Sequence, residues 1–135
     1  DGDQKGEYAA IFYKTAQFKL LVNGNFWLSP VTEKPNKGWD AALPRICSWG
    51  KFEEQATGKV FFLFNVHFDH RGEQARIESA KLVTNMIRKI AGETDCILTG
   101  DFKVCCLSGL KPAFSPAAGF FSMRGFIMTN IGIRK

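Results

Sequence analysis

Residues 60–101 constrain the fold more than any other part of the chain. Val60-Phe61-Phe62-Leu63-Phe64 is an almost unbroken apolar run, the pattern of a strand covered on both faces. It passes into the polar run Asn65-Val66-His67-Phe68-Asp69-His70, then Arg71-Gly72. From about Glu73 to Ala91, Ile77, Ala80, Val83, Met86, Ile87 and Ile90 recur at helical spacing. Glu73 stands in the first turn and Arg88-Lys89 in the last, as the helix dipole favours, and Gly92 is a natural stop. Cys96-Ile97-Leu98-Thr99 is a second apolar strand, ending at Gly100-Asp101. Two strands joined by a helical crossover are normally parallel neighbours in an α/β sheet. Ligand chemistry in such sheets gathers at the carboxyl ends of the strands. His67, Asp69, His70 and Asp101 all fall at those ends, which makes them candidate site residues.

The first part of the chain reads as β-structure. Tyr8 to Tyr13 and Phe18 to Val22 are short apolar runs, Asn23-Gly24 is a turn signal, and Phe26-Trp27-Leu28 follows. Strand, turn, strand is the expectation. Pro30, Pro35 and Pro44 bracket a loop rich in Lys, Asn, Asp and Gly, of the kind that crosses the surface or borders a site. Arg45 to Phe52 alternates apolar and polar residues as a strand does, and Ala56-Thr57-Gly58-Lys59 is a turn. With 135 residues, 45% of them apolar and 23% charged, the chain suits one domain with a core and excludes wholesale disorder. No stretch reaches the ~20 apolar residues of a membrane-spanning helix. Cys47 and Cys96 lie in apolar strand-like runs and read as buried free thiols. No Cys-x-x-Cys pair exists, and both histidines lie far from any cysteine, which argues against zinc. Trp27, Trp39 and Trp49 read as packing residues.

The run from Asn65 to Gly72, followed after the helix by Leu98-Thr99-Gly100-Asp101-Phe102, resembles the endonuclease/exonuclease/phosphatase superfamily, whose fold is that of pancreatic deoxyribonuclease. The match is to bacterial members of unassigned substrate, and Gly6-Glu7-Tyr8, Ile11-Phe12-Tyr13, Phe26 to Ser29, Gly38-Trp39-Asp40 and Pro44-Arg45 extend it in order. The resemblance implies an α/β fold, part of a four-layer α/β sandwich. It implies metal-dependent hydrolysis of a phosphodiester or phosphomonoester, with Mg²⁺ or Mn²⁺ held by hard oxygen ligands. By the same resemblance Asp101 orients or deprotonates the attacking water, or contributes to the metal site. His67 hydrogen-bonds a phosphate oxygen and stabilises the transition state. Asn65 supports His67 from behind. Asp69, His70 and Arg45 are candidate substrate contacts, with a structural salt bridge the favoured reading for Arg45. The implied partner is a phosphate ester, whether nucleic acid, sugar phosphate or lipid headgroup.

Three departures accompany the match. The family's Gly-Asp-Phe-Asn reads Gly100-Asp101-Phe102-Lys103, and Lys cannot replace an amide oxygen near a metal. The family's N-terminal Asn-containing strand and metal-binding Glu would lie upstream of Asp1. No His follows His70 and no acid follows Asp101, so nothing fills the place of the family's C-terminal Asp-His pair. A whole domain of this fold needs roughly 250 residues. Residues 1–102 are therefore expected to be a central portion of such a domain, impaired or inactive by itself. Residues 103–135 are expected to be a divergent basic tail, out of frame with the family's sequence or disordered. The formal charge of +5 arises there, from Lys103, Lys111, Arg124, Arg134 and Lys135, while the rest of the chain balances to zero. The alternatives are a polyanion-binding module without catalysis and a fragment without independent function.

Overall fold

The computed structural model describes residues 7–102, 120–121 and 126–130. Four strands, β1 (Phe18–Trp27), β2 (Ile46–Glu54), β3 (Val60–His67) and β4 (Cys96–Asp101), and one helix, α1 (Glu73–Ala91), carry most of them. Two short strands, β5 (Phe120–Phe121) and β6 (Phe126–Asn130), complete a sheet of order β1-β2-β3-β4-β6-β5. The first three strands are antiparallel, whereas β3 and β4 are parallel, joined through α1 as the crossover pattern predicts. β6 also runs parallel to β4, and β5 antiparallel to β6. No strand period is legible around residues 120–130, so these two strands were missed from the sequence.

The Asn23-Gly24 turn does not form. One ten-residue strand runs through it, with Asn23 opposite Gly50 and Gly24 opposite Trp49. The glycine serves close approach rather than chain reversal, since a Cβ there would lie 2.7 Å from the Trp49 indole. Tyr8 to Tyr13, read as β-like, has no strand pairing. It lies against the sheet, with the Tyr13 ring edge-on to Phe52 and the Ala10 carbonyl accepting from Asn65 Nδ2 at 2.9 Å.

The apolar run of β3 divides between two faces. Phe62, Phe64 and Val66 are buried in one cluster with Ala80, Val83, Ile87 and Ala91 of α1 and with Phe26, Cys47, Cys96 and Leu98. Phe61 and Leu63 alternate with them on the opposite face and are only half-buried. They line an open cleft of about 580 Å³ with Phe18, Ile97 and Phe12. So α1 covers one face of β3, and the opposite face is only partly buried, where the apolar run had suggested cover on both. The helix face also differs slightly from the expected one. Ala75 and Ser79 are buried, whereas Ile77 points outward at 38% exposure.

The start of α1 is fixed from a distance. Gly72 has no side chain with which to cap the helix. Asp40, in the proline-bracketed loop, accepts from the Ala75 N–H at 2.7 Å and the Gln74 N–H at 3.3 Å. Its carboxylate thus satisfies two orphan donors and meets the positive end of the helix dipole. Gly72 leaves room for it, since a Cβ there would lie 2.6 Å from Asp40 Oδ1. At the other end Gly92 adopts φ 57° and donates to the Arg88 carbonyl. No described helix is long and apolar enough to cross a membrane. Asp40→Ala should lower stability by about 1 kcal/mol, the usual worth of such a cap, and urea denaturation followed by far-UV circular dichroism measures it. Asp40→Asn should retain most of the lost stability.

Candidate active site

β3 and β4 end side by side. His67 is the last residue of β3, Asp101 the last of β4, and the two are register partners in the parallel pair. His67 Nε2 lies 3.9 Å from Asp101 Oδ2. Both side chains are partly open to solvent, at 29% and 21% exposure. The residue before Asp101 permits this approach. Gly100 adopts φ 150°, and a Cβ there would lie 1.9 Å from the Val66 carbonyl oxygen. Any other residue would push the strands apart at the level of the two site residues.

The other face of the His67 ring meets a residue to which the sequence reading gave no role. Glu7 Oε2 lies 3.4 Å from His67 Nδ1. The only signal for it was its place in the matched triplet Gly6-Glu7-Tyr8. Burial opposes ionisation of Glu7, but the hydrogen bond and charge of Arg45, with His67 and His70 nearby, outweigh it and lower its pKa. The imidazole therefore stands between two carboxylates.

Asn65 lies two residues before His67 on β3, opposite Thr99 of β4. Its amide oxygen accepts from Thr99 Oγ1 at 3.1 Å, and its amide nitrogen donates to Ala10. It locks β3 to β4 and holds the segment that follows Glu7.

Asp69, Arg45 and His70 form a second group. Asp69 is buried, with 2% of its surface exposed. Its Oδ1 accepts from the N–H groups of Arg71 (3.0 Å) and Gly72 (2.8 Å). Its Oδ2 accepts from the Leu43 N–H (3.3 Å) and Arg45 Nε (3.4 Å). Desolvation raises its pKa, but these backbone donors more than reverse that and hold the carboxyl far below the usual range. Arg45 is also buried, at 5% exposure. It spends Nε on Asp69, Nη1 on Glu7 and Nη2 on His70 Nδ1, the last at 3.1 Å. The structural salt bridge favoured for Arg45 is present. His70 has 43% of its side chain exposed.

The cysteine reading holds at both described positions. Cys47 and Cys96 are buried and free, and burial, with the Asp95 charge, pushes the Cys96 thiol up to about 11. Cys105 and Cys106 lie outside the described residues. Trp27 is buried, and Trp49 packs against Phe62 and Phe64.

Mg²⁺ and Mn²⁺ prefer several oxygen ligands in near-octahedral geometry. Among the described residues no three His, Cys, Asp or Glu side chains gather as a metal site. Glu7, the carboxylate on the far side of His67, is committed to Arg45. The described residues thus do not fit a divalent cation on their own, although Asp101 is a suitable single oxygen ligand.

No protein-family model matches the chain. It is 53% identical to a solved endonuclease/exonuclease/phosphatase family protein from Bacteroides thetaiotaomicron, with a TM-score of 0.72 over 76% of this chain and 37% of that one. It is 51% identical to a solved mannosyl-6-phosphatase of the same organism, with a TM-score of 0.74 over 77% of this chain and 40% of that one. It is also 36% identical over 90 residues to an uncharacterised protein of Acanthamoeba polyphaga mimivirus, covering 62% of this chain and 33% of that protein. The chain therefore spans between a third and two fifths of these relatives.

The Asp69 carboxyl sets a pH dependence. Its pKa is lowered from 3.8 in the folded state, so the unfolded chain takes up a proton that the folded chain refuses. The stabilisation is complete well above pH 3.8 and is lost as pH falls below it toward the folded pKa. Urea midpoints measured between pH 6 and pH 2.5 should fall steeply for the native chain. Asp69→Asn should flatten that fall while costing about 2–4 kcal/mol at pH 7.

Proposed function

We propose that this chain is part of an endonuclease/exonuclease/phosphatase superfamily domain and carries a phosphate-ester hydrolase site centred on His67 and Asp101. The observation that carries it is their register pairing at the carboxyl ends of two parallel strands, with Glu7 behind the imidazole. Similarity to a mannosyl-6-phosphatase supports a phosphate ester as the substrate. Both phosphomonoesters and phosphodiesters suit the site.

Each residue then has a distinct task. Glu7 orients the ring through Nδ1, which leaves Nε2 as the nitrogen on the Asp101 side. His67 donates from Nε2 to a phosphate oxygen, an interaction that strengthens as charge builds there in the transition state. Asp101 receives a proton from, or aligns, the water that attacks phosphorus. Asn65 keeps the two strand ends and the Glu7 segment together. Asp69 and Arg45 act from behind the site, since their polar atoms are already engaged within the protein.

Superfamily membership implies Mg²⁺ or Mn²⁺ as the source of further charge neutralisation. The described residues bring too few ligands together to hold it. Phosphate binding and turnover are therefore expected to separate in this chain. Isothermal titration of the full chain with inorganic phosphate should detect a site, and His67→Ala should weaken it about tenfold, the worth of one charge-assisted hydrogen bond. Hydrolysis of bis-p-nitrophenyl phosphate in the presence of Mg²⁺ should be absent. Turnover abolished both by EDTA and by His67→Ala would show that the chain completes a metal site. Phosphate binding indifferent to His67→Ala would contradict the assignment.

A further inference from the structure

The contact between Arg45 and His70 determines which nitrogen of His70 is available to a ligand. A guanidinium offers only N–H donors and accepts nothing. Arg45 Nη2 lies 3.1 Å from His70 Nδ1, a hydrogen-bond distance. A proton on Nδ1 would face an N–H head-on, so Nδ1 carries the lone pair and the ring's proton sits on Nε2. Asp69 Oδ2 is 4.0 Å from the same Nδ1, too far to accept from it. Exchanging the ring's two orientations would place carbon against the guanidinium and discard the bond. Glu7, another charged neighbour, is held by the same Arg45.

Arg45 is itself immobilised. It is buried, and its other nitrogens are tied to Asp69 and Glu7. His70, by contrast, is 43% exposed at its side chain and follows directly on the strand-end loop that carries the site. We propose that His70 is a second ligand-contacting group, fixed by Arg45 as a Nε2–H donor to an anionic phosphate oxygen, and that Arg45 is its positioning residue rather than a phosphate ligand. The proposal rests on the phosphoesterase reading and assigns a donor role that is independent of His67. A donor with its proton already on Nε2 needs no proton transfer to engage phosphate, and it adds a fixed direction to the recognition.

Long-range ¹H–¹⁵N spectra of the full chain, labelled at histidine ring nitrogens, test both parts. At pH 7 without ligand, His70 should show an unprotonated Nδ1 and a protonated Nε2. Inorganic phosphate should then move the His70 Nε2 resonance as well as that of His67, and His70→Ala should weaken phosphate binding about tenfold. An Nδ1–H tautomer, or phosphate shifts confined to His67, would overturn the donor role alone. Phosphate that moves neither ring would overturn the donor role and also the phosphoesterase reading beneath it.

Discussion

The site depends on one buried carboxylate. Asp69 accepts two backbone N–H groups from the chain entering α1 and one from Leu43, and it pairs with Arg45 at the start of β2. Two stretches of chain meet at its two oxygens: the residues entering α1, and the end of the proline-bracketed loop with Arg45 just before β2. A carboxylate removed from water is costly unless its lone pairs are occupied, and here they are. The ionised form is consequently favoured strongly enough to resist protonation in acid. Through Arg45 the same carboxylate reaches Glu7 and His70, and through Glu7 it reaches His67.

This network explains why the loop from Pro30 to Pro44 can be long and irregular yet still place functional groups. Leu43 is held by Asp69, and Asp40 is held by the free N–H groups of α1. The helix gains a cap that its own Gly72 cannot provide, and the loop gains an anchor at each end of its last turn. Positioning is thus achieved by charge-to-backbone hydrogen bonds, which are directional, rather than by the apolar core, which is not. The core lies below, between α1 and the face of the sheet bearing Phe62, Phe64 and Leu98. It sets the parallel register that brings His67 opposite Asp101.

The crossover was readable because its two periods are unambiguous. An apolar strand, a helical stripe with charges suited to its dipole, and a second apolar strand allow few other arrangements. The positions of His67 and Asp101 followed from that alone, and the resemblance to the superfamily followed from the motifs at the same strand ends. Asn23-Gly24 misled because its sequence is that of a turn, while the reason for the glycine is the indole of Trp49 on a neighbouring strand. Ile77 misled because helical spacing defines a stripe but not its edges. Glu7 was invisible as a functional residue for a similar reason. Its partners, Arg45 and His67, are far away in sequence, and no local pattern announces a contact of that range. The strands at Phe120–Phe121 and Phe126–Asn130 lack any alternation of their own and are defined by pairing alongside β4.

On the proposed function, Asp69 serves phosphate binding by holding other residues in place, without touching the ligand. A double-mutant cycle of Asp69→Asn and His67→Ala, read as the affinity of the full chain for inorganic phosphate, tests it most directly. If Asp69 acts through the His67 constellation, the double variant should bind little more weakly than the poorer single variant. Losses that multiply, so that each substitution costs the same factor with or without the other, would contradict the account.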